Sequence, residues 1–243
     1  MWTVRAREAI GPTFSMPAML RARERTFEAV NRVAAAIGPG MSEGQAGETA
    51  QTTLDAMGMD RLWHKNLVRF GSETLKTFHE PSDPDRVLGE DDLFFVDLGA
   101  VWEGHEGDAG DTFVTGSDPE MRACAQAARD LWAIVAKRWT DQRPNGKRLY
   151  AYAAEQAKEM GWRLNLKIRG HRVSDFPHAI YRAGALGDFG KCPSTGLWVL
   201  EIQIAHPTRP FGAFFEDLLH EAPPIDQVAQ LNELEWRAAD NAG

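Results

Sequence analysis

Two acidic residues interrupt apolar or strand-like segments near the middle of the chain. Asp97 lies within the run LFFVDLGA at positions 93–100, and Asp108 follows eleven positions later. A strand, a turn and a returning strand fit that gap, so the two carboxylates could face each other across an antiparallel pair. A carboxylate buried in such a run needs an arginine, several N–H donors or a metal ion as its partner. The spacing alone decides little, because the chain holds 35 acidic residues.

Two histidines and two glutamates extend this pattern in the second half of the chain. His171 follows Gly170, and His178 comes seven positions after His171, behind a proline. Glu201 interrupts the run WVLEIQI, and Glu216 interrupts FFEDLL. One neutral imidazole could join the carboxylates as a ligand, and the other could act as an uncoordinated donor or acid beside a reacting group. Convergence of these acids on one site is more economical than a separate explanation for each.

Four carboxylates and one imidazole form a hard, oxygen-rich ligand set. Such a set suits two divalent ions bridged by carboxylates (Mn, Co, Fe or Zn) better than a thiolate-type structural zinc. Two bridged ions can share a hydroxide, lower its proton affinity and polarise a carbonyl. The ligand set therefore predicts metal-assisted hydrolysis of an amide. Cys124 and Cys192 form no CxxC pair, so we expect neither a disulfide framework nor a thiolate zinc site.

Hydrophobic periodicity and end signals predict the elements that must carry these residues. Ser42, with Gln45 three positions on, is a capping-box pattern at the start of a helix. The order of helices and strands predicts an α+β fold with helices packed on one face of a curved sheet. The helices are expected at about 17–37, 42–58, 119–139, 147–160 and 225–239, and the strands at about 67–70, 93–98, 197–204 and 213–219.

Size, charge and hydropathy limit the classes of protein to consider. The 243 residues, 43% of them hydrophobic, are enough for one sizeable core, so we expect a single domain over 1–243. A net charge of −8 argues against nucleic acid as a partner. No apolar run approaches the roughly 20 residues that span a bilayer, and the N-terminus lacks the apolar block of a secretory signal. We therefore expect no membrane partner and a cytoplasmic location.

The order of the candidate residues resembles the pita-bread metallopeptidases, which include methionine aminopeptidase, Xaa-Pro aminopeptidase and prolidase. The shared order is an Asp, a second Asp eleven later, Gly-His with another His seven on, and two Glu in strands. The resemblance covers roughly residues 21–219 and implies a catalytic domain without a separate N-terminal domain. It implies a pita-bread (creatinase/aminopeptidase-like) α+β fold, in which helices flank a pseudo-two-fold curved antiparallel sheet.

The resemblance also implies a role for each predicted ligand. Asp97 would chelate one of two divalent ions, and His171 would bind the other. Asp108 and Glu216 would bridge the two ions. Glu201 would bind beside His171 and help to shuttle a proton during catalysis.

Three further residues are candidates for contacts with substrate. His79, eighteen positions before Asp97, matches the family histidine that contacts substrate and leaving group. His178 matches the histidine that steadies the tetrahedral intermediate. Arg172 could bind a substrate carboxylate bidentately, although it could instead pair with a nearby acid such as Asp175. The other histidines are expected to be solvated or structural: His64, His105, His206 and His220.

Three hypotheses for the function follow from the resemblance. The first is a metal-dependent aminopeptidase or Xaa-Pro-type dipeptidase, in which a hydroxide held by two ions, manganese among the candidates, attacks a small peptide or amide. Departures from the family pattern at Arg172, Ala179 and Ile202 leave open a same-fold amidase or lyase acting on a non-peptide metabolite. A catalytically inactive binding module is the third hypothesis. The sequence leaves open whether the protein forms a homodimer.

Overall fold

The computed structural model describes residues 7–181 and 184–221. The predicted helix at 225–239 lies outside the described residues. The helices are α1 (Met16–Ala36), α2 (Glu43–Ala56), α3 (Pro119–Gln142) and α4 (Gly146–Glu159). The strands are β1 (Arg61–Leu62), β2 (Leu67–Phe70), β3 (Leu93–Trp102), β4 (His105–Val114), β5 (Arg163–Leu164), β6 (His171–Arg172), β7 (Trp198–Ala205) and β8 (Gly212–Leu218).

Helix starts follow the local sequence signals. The predicted capping box at α2 is present, because the Ser42 side chain accepts from the Gln45 N–H and the Gln45 side chain accepts from the Ser42 N–H. Asp118 caps α3 by accepting two backbone N–H bonds just before Pro119. Both devices satisfy donors that the first helical turn leaves without partners, so the starts of α2 and α3 lie within a residue or so of prediction.

One antiparallel sheet joins the two halves of the chain. Its strand order is β1-β3-β4-β8-β7-β5, with β2 paired to β3 and β6 paired to β7. Each half contributes two helices, then two short strands, then two long strands, and the two halves meet where β4 pairs with β8. This arrangement confirms the predicted pseudo-two-fold antiparallel sheet of an α+β fold.

The helices cover one face of the sheet. Val96 and Leu98 of β3 pack in a core cluster with Val30 and Val33 of α1. A second cluster joins the β7 residues, including Ile202, to α3 and α4. Successive side chains of a strand point to opposite faces. The residues between these core positions therefore face away from the helices, and the predicted ligands occupy that other face.

No helix in the described part of the chain combines the length and the apolar character needed to cross a membrane.

Candidate metal centre

Strand register places the acidic side chains in one row across the sheet. Asp97 pairs with Gly110, Gly110 pairs with Glu216, and Glu216 pairs with Glu201. Directly paired residues present their side chains on the same face. Asp108, two positions before Gly110, shares that face because side chains alternate along a strand. Four acids from β3, β4, β8 and β7 therefore converge.

Asp97 and Asp108 are diagonal neighbours. The direct partner of Asp108 is Gly99, two positions beyond Asp97. The prediction that the two carboxylates share a face of an antiparallel pair is therefore right, with an offset of two residues. Gly110 leaves the middle of the acidic row open, since a Cβ there would lie 3.0 Å from Glu216 Oε1.

The backbone around His171 fixes the imidazole beside the acids. Its Nε2 lies 2.8 Å from Asp108 Oδ2, and its Nδ1 lies 3.0 Å from the Arg172 carbonyl oxygen. The preceding Gly170 has a φ of 67°, and its N–H donates to Glu201 Oε2 at 2.7 Å. Positive φ favours glycine, which explains the glycine in the Gly-His pair.

Burial and mutual repulsion control the protonation of the acids. Burial raises the pKa of Asp97 to about 6 and that of Glu201 to about 7, although nearby histidine charge opposes both shifts. Burial, together with the charges of Asp108 and Asp97, raises the pKa of Glu216 well above its usual range. Burial also disfavours ionised Asp108, but hydrogen bonds from histidine side chains outweigh it and lower the Asp108 pKa to about 2.

The donor set fits divalent cations. Donor atoms of Asp108, His171 and Glu216 lie within 4.8 Å of one another. The donor atoms of His64, Asp97 and Asp108 form a second group within the same distance, so Asp108 belongs to both groups. Glu216 Oε1 is buried and has no hydrogen-bond partner among the described residues. Four carboxylates outnumber the two imidazoles that contact them, so buried negative charge remains for a cation to neutralise.

His64 is a site residue that the sequence reasoning missed. Its Nε2 lies 3.1 Å from Asp108 Oδ1 and 3.6 Å from Asp97 Oδ1, and its side chain is 11% exposed. Burial opposes its protonation, but the hydrogen bond with Asp108 and the nearby Asp97 charge raise the pKa of His64 to about 9. His64 was expected to be solvated or structural, and the first of these alternatives is wrong, because the ring lies against two predicted ligands. Its segment, RLWHKN, has no apolar run that would have revealed the burial.

The segment that carries His79 is fixed to the sheet at the mouth of the site. Arg69 is buried and donates to the carbonyl oxygens of Thr77 and Glu80 at 3.1 and 2.6 Å. Gln203 Nε2 donates to the Lys76 carbonyl oxygen at 2.9 Å. His79 is exposed and lines the cavity, and its contact with substrate stays a prediction.

Arg172 does not face the site, so its predicted contact with substrate is wrong. The side chain is 1% exposed and donates to the carbonyl oxygens of Leu197 and Ala9. Its guanidinium also lies over the Trp198 ring. Strand alternation explains the error, because the residue after His171 must point to the opposite face of the sheet.

His178 is near the site but is not among the residues that line the cavity. Its backbone N–H donates to Glu106 Oε1 at 2.9 Å, and its Nδ1 pairs with Glu106 Oε2. The Trp63 ring contacts both His171 and His178, with centroids 5.4 and 5.5 Å away. The Trp63 ring therefore connects His178 to His171, which is one of the predicted ligands.

A cavity of about 280 Å³ opens over the predicted ligands. All five of them line it, together with His64 and His79. Phe95 and Phe214, with ring centroids 5.2 Å apart, form an apolar wall. Three cationic side chains also line it: Lys76, Lys167 and Arg169.

Comparisons with known proteins identify the family and the fold of this chain. The sequence model of metallopeptidase family M24 matches residues 17–220. Similar solved structures include the prolidase from Pyrococcus furiosus (19% identity, TM-score 0.68, 90% of this chain and 66% of that one) and the X-Pro aminopeptidase from Thermotoga maritima (18%, 0.68, 90% and 64%). The methionine aminopeptidase from Thermotoga maritima is similar at 16% identity and TM-score 0.65, over 87% of this chain and 98% of that one.

The chain spans about two thirds of the length of the prolidase and the X-Pro aminopeptidase. A comparison with curated proteins found no match. The fold is thus shared with these three enzymes at low sequence identity.

Proposed function

The chain belongs to metallopeptidase family M24, and from this premise we propose that it is a metal-dependent hydrolase that cleaves a small peptide. One observation carries the proposal. The five side chains of the predicted ligand set line a single cavity, although they come from five different strands. These ligands are Asp97, Asp108, His171, Glu201 and Glu216.

Two divalent ions fit the distribution of donors. Asp97 and Asp108 would hold one ion, His171 and Glu201 would hold the other, and Asp108 and Glu216 would bridge them. Mn, Co, Fe and Zn all accept such oxygen and imidazole donors. When bound, two such ions polarise a carbonyl and make water nucleophilic at neutral pH.

Glu201 is the candidate for moving the proton. A carboxylate beside the attacking water can accept its proton and release it again, which is what general acid–base catalysis requires. The Gly170 N–H holds its Oε2, which fixes the orientation of the carboxyl group. We propose that Glu201 takes a proton from the attacking water and delivers it to the leaving amine.

The lining of the cavity favours a short peptide. Phe95, Phe214 and Trp63 offer an apolar surface for one small side chain. Lys167 lies on the same cavity and could pair with the carboxylate of a short substrate. A volume of about 280 Å³ is at the lower end of small-molecule pockets. These features support an aminopeptidase or an Xaa-Pro-type dipeptidase, with His79 contacting the substrate at the mouth.

The sequence departures that suggested a non-peptide substrate do not line the cavity. Arg172 and Ile202 are buried on the helix-covered side of the sheet, and Ala179 is exposed outside the cavity. They therefore give no reason to prefer an amidase or a lyase over a peptidase.

A substrate panel with a defined metal tests the proposal. The metal-free full chain is loaded with Mn²⁺ or Co²⁺ and offered Xaa-Pro dipeptides, Met-peptides and N-acyl amino acids, with product amines measured by mass spectrometry. We expect turnover of at least one peptide class that is lost on chelation and in Asp108→Asn. The result that contradicts the proposal is a protein that binds the metal and folds but cleaves none of the peptides. Turnover of the N-acyl compounds alone would identify a non-peptide amidase.

A further inference from the structure

We propose that His64 is a sixth donor of the metal centre, so that each of the two ions receives one imidazole nitrogen. The inference rests on the proposed metal-dependent function and concerns only the composition of the ligand set. The five-residue ligand pattern assigns no role to His64. In the structure its ring contacts two of those ligands, Asp97 and Asp108.

The donor atoms around Asp108 fall into two groups. His64 Nε2 lies 3.1 Å from Asp108 Oδ1 and 3.6 Å from Asp97 Oδ1. These three residues offer donors within 4.8 Å of one another, as do Asp108, His171 and Glu216. Asp108 belongs to both groups, so the centre consists of two adjoining sites that each contain one histidine.

The His64 ring has the same orientation toward the carboxylates as the His171 ring. His64 Nδ1 lies 2.8 Å from the Lys65 carbonyl oxygen, and His171 Nδ1 lies 3.0 Å from the Arg172 carbonyl oxygen. A carbonyl oxygen can only accept, so Nδ1 carries a proton in both rings and Nε2 is directed at the carboxylates. Histidines that bind metals generally donate their second nitrogen to a carbonyl or a carboxylate in this way.

The His64 ring fills a space that a glycine leaves free. Gly99 is the direct register partner of Asp108, and a Cβ there would lie 1.9 Å from His64 Cδ2 and 2.1 Å from His64 Nε2. The imidazole therefore occupies the volume that any other residue at position 99 would fill. Edge contacts with Trp63 and Phe78, at centroid distances of 4.5 and 5.9 Å, hold the ring from the sides.

His64 and His171 occupy related positions in the two halves of the fold. His64 lies in the connection between β1 and β2, and His171 lies at the start of β6, after β5. These segments correspond in the two halves, because β2 pairs with β3 just as β6 pairs with β7. Each half of the protein would then supply one imidazole to the ion that it holds.

A competing explanation is that His64 only orients Asp108 and never touches an ion. Metal affinity alone does not separate the two, since loss of a residue that orients a ligand typically weakens metal binding about 10–100-fold. The number of nitrogens on the ions does separate them.

Proton NMR of the Co²⁺-loaded full chain counts those nitrogens. Each coordinated histidine gives one strongly shifted, solvent-exchangeable N–H signal, here from Nδ1–H bonded to a backbone carbonyl. We expect two such signals from the wild-type protein with two ions bound. His64→Gln should lose one signal and His171→Gln the other, while His220→Gln, outside the cavity, keeps both. A single signal in the wild-type protein, or a second signal that survives in His64→Gln, would overturn the inference.

Gly99→Ala provides a second route that leaves every donor side chain unchanged. Its Cβ should displace the His64 ring and remove the same signal as His64→Gln, with the His171 signal retained. If His64→Gln fails to fold, the wild-type count and Gly99→Ala still decide. A wild-type protein that binds no Co²⁺ at all would refute the proposed function, whereas two ions with one imidazole would refute only the role of His64.

Discussion

Gly110 stands in the middle of the ligand row, and replacing it with alanine should damage the metal centre without removing a donor. A Cβ at this position would lie 2.6 Å from Phe214 Cε1 and 3.0 Å from Glu216 Oε1. Phe214 is 3% exposed and packs against Phe95, so its ring has little room to move. The φ of Gly110 is not positive, so backbone strain adds nothing to the cost of Gly110→Ala.

The expected cost is that of overpacking a buried site, about 1–3 kcal/mol. For a domain of this size each kcal/mol lowers the Tm by about 2–4 °C, so the Tm of metal-free Gly110→Ala should fall by about 2–12 °C. The matched control is Gly47→Ala inside α2, where a Cβ would meet nothing within 4 Å. That variant should gain about 0.5–1 kcal/mol from its helix propensity and melt slightly higher.

Two measurements check the Gly110 prediction. Thermal melting followed by circular dichroism gives the Tm of both metal-free variants. Elemental analysis after loading with Mn²⁺ gives the number of ions, which should fall below that of the wild-type protein in Gly110→Ala because the Glu216 carboxylate is displaced. A Gly110→Ala protein that melts at or above the wild-type temperature and retains the wild-type metal content would refute the reasoning.

Three further predictions concern other parts of the structure. Asp108→Asn should lose both ions in elemental analysis, because Asp108 belongs to both groups of donors; retention of two ions would contradict its bridging role. Burial raises the pKa of Glu43 to about 7, so the native state binds this proton more tightly than the unfolded chain. The Glu43 contribution to the free energy of unfolding should therefore fall by at most about 3 kcal/mol from pH 4.5 to 7. Urea denaturation across that pH range should show a smaller fall in the free energy of unfolding for Glu43→Gln than for the wild-type protein. An equal pH dependence in the two proteins would contradict the raised pKa of Glu43. Arg172→Met should cost about 1–3 kcal/mol in the same denaturation assay, since it removes the Arg172 bond to the Ala9 carbonyl oxygen and one of two donors to the Leu197 carbonyl oxygen. The KM of the folded enzyme should stay unchanged, and a raised KM would restore the predicted contact of Arg172 with substrate.

The acidic residues of the candidate site were predictable because their signal is local. An ionised side chain inside an apolar strand is costly, so Asp97 and Glu201 stand out from the 35 acidic residues of the chain. The helices were predictable from periodicity and caps for a similar reason, because a capping box or a proline acts within one turn of the helix. Strand β3 is longer than predicted because its pairing with β4 continues to the turn at Glu103 and Gly104, which have φ values of 51° and 70°.

The position of His64 could not be predicted, because its determinants are distant in sequence. Its ring lies against β3 at Gly99, 35 positions further along the chain, and only the register of β3 with β4 brings that glycine opposite Asp108. The position of Arg172, in contrast, was predictable from the local sequence. Successive side chains of a strand point to opposite faces, so the residue after His171 points away from the site. The predicted substrate contact of Arg172 followed from the chemistry of the guanidinium group alone and ignored the direction of the side chain.

The acids of the centre gather where the two halves of the fold meet. Asp97 and Asp108 come from the first half, Glu201 and Glu216 come from the second, and the halves pair between β4 and β8 at Gly110 and Glu216. Without a cation, these acids repel one another across this junction. Burial, together with the charges of Asp108 and Asp97, raises the pKa of Glu216 well above its usual range. Bound ions would replace that repulsion with shared ligands, so their binding free energy would also hold the two halves of the sheet together. The cost of burying these acids in the sheet would then be offset by the same cations that the proposed chemistry requires.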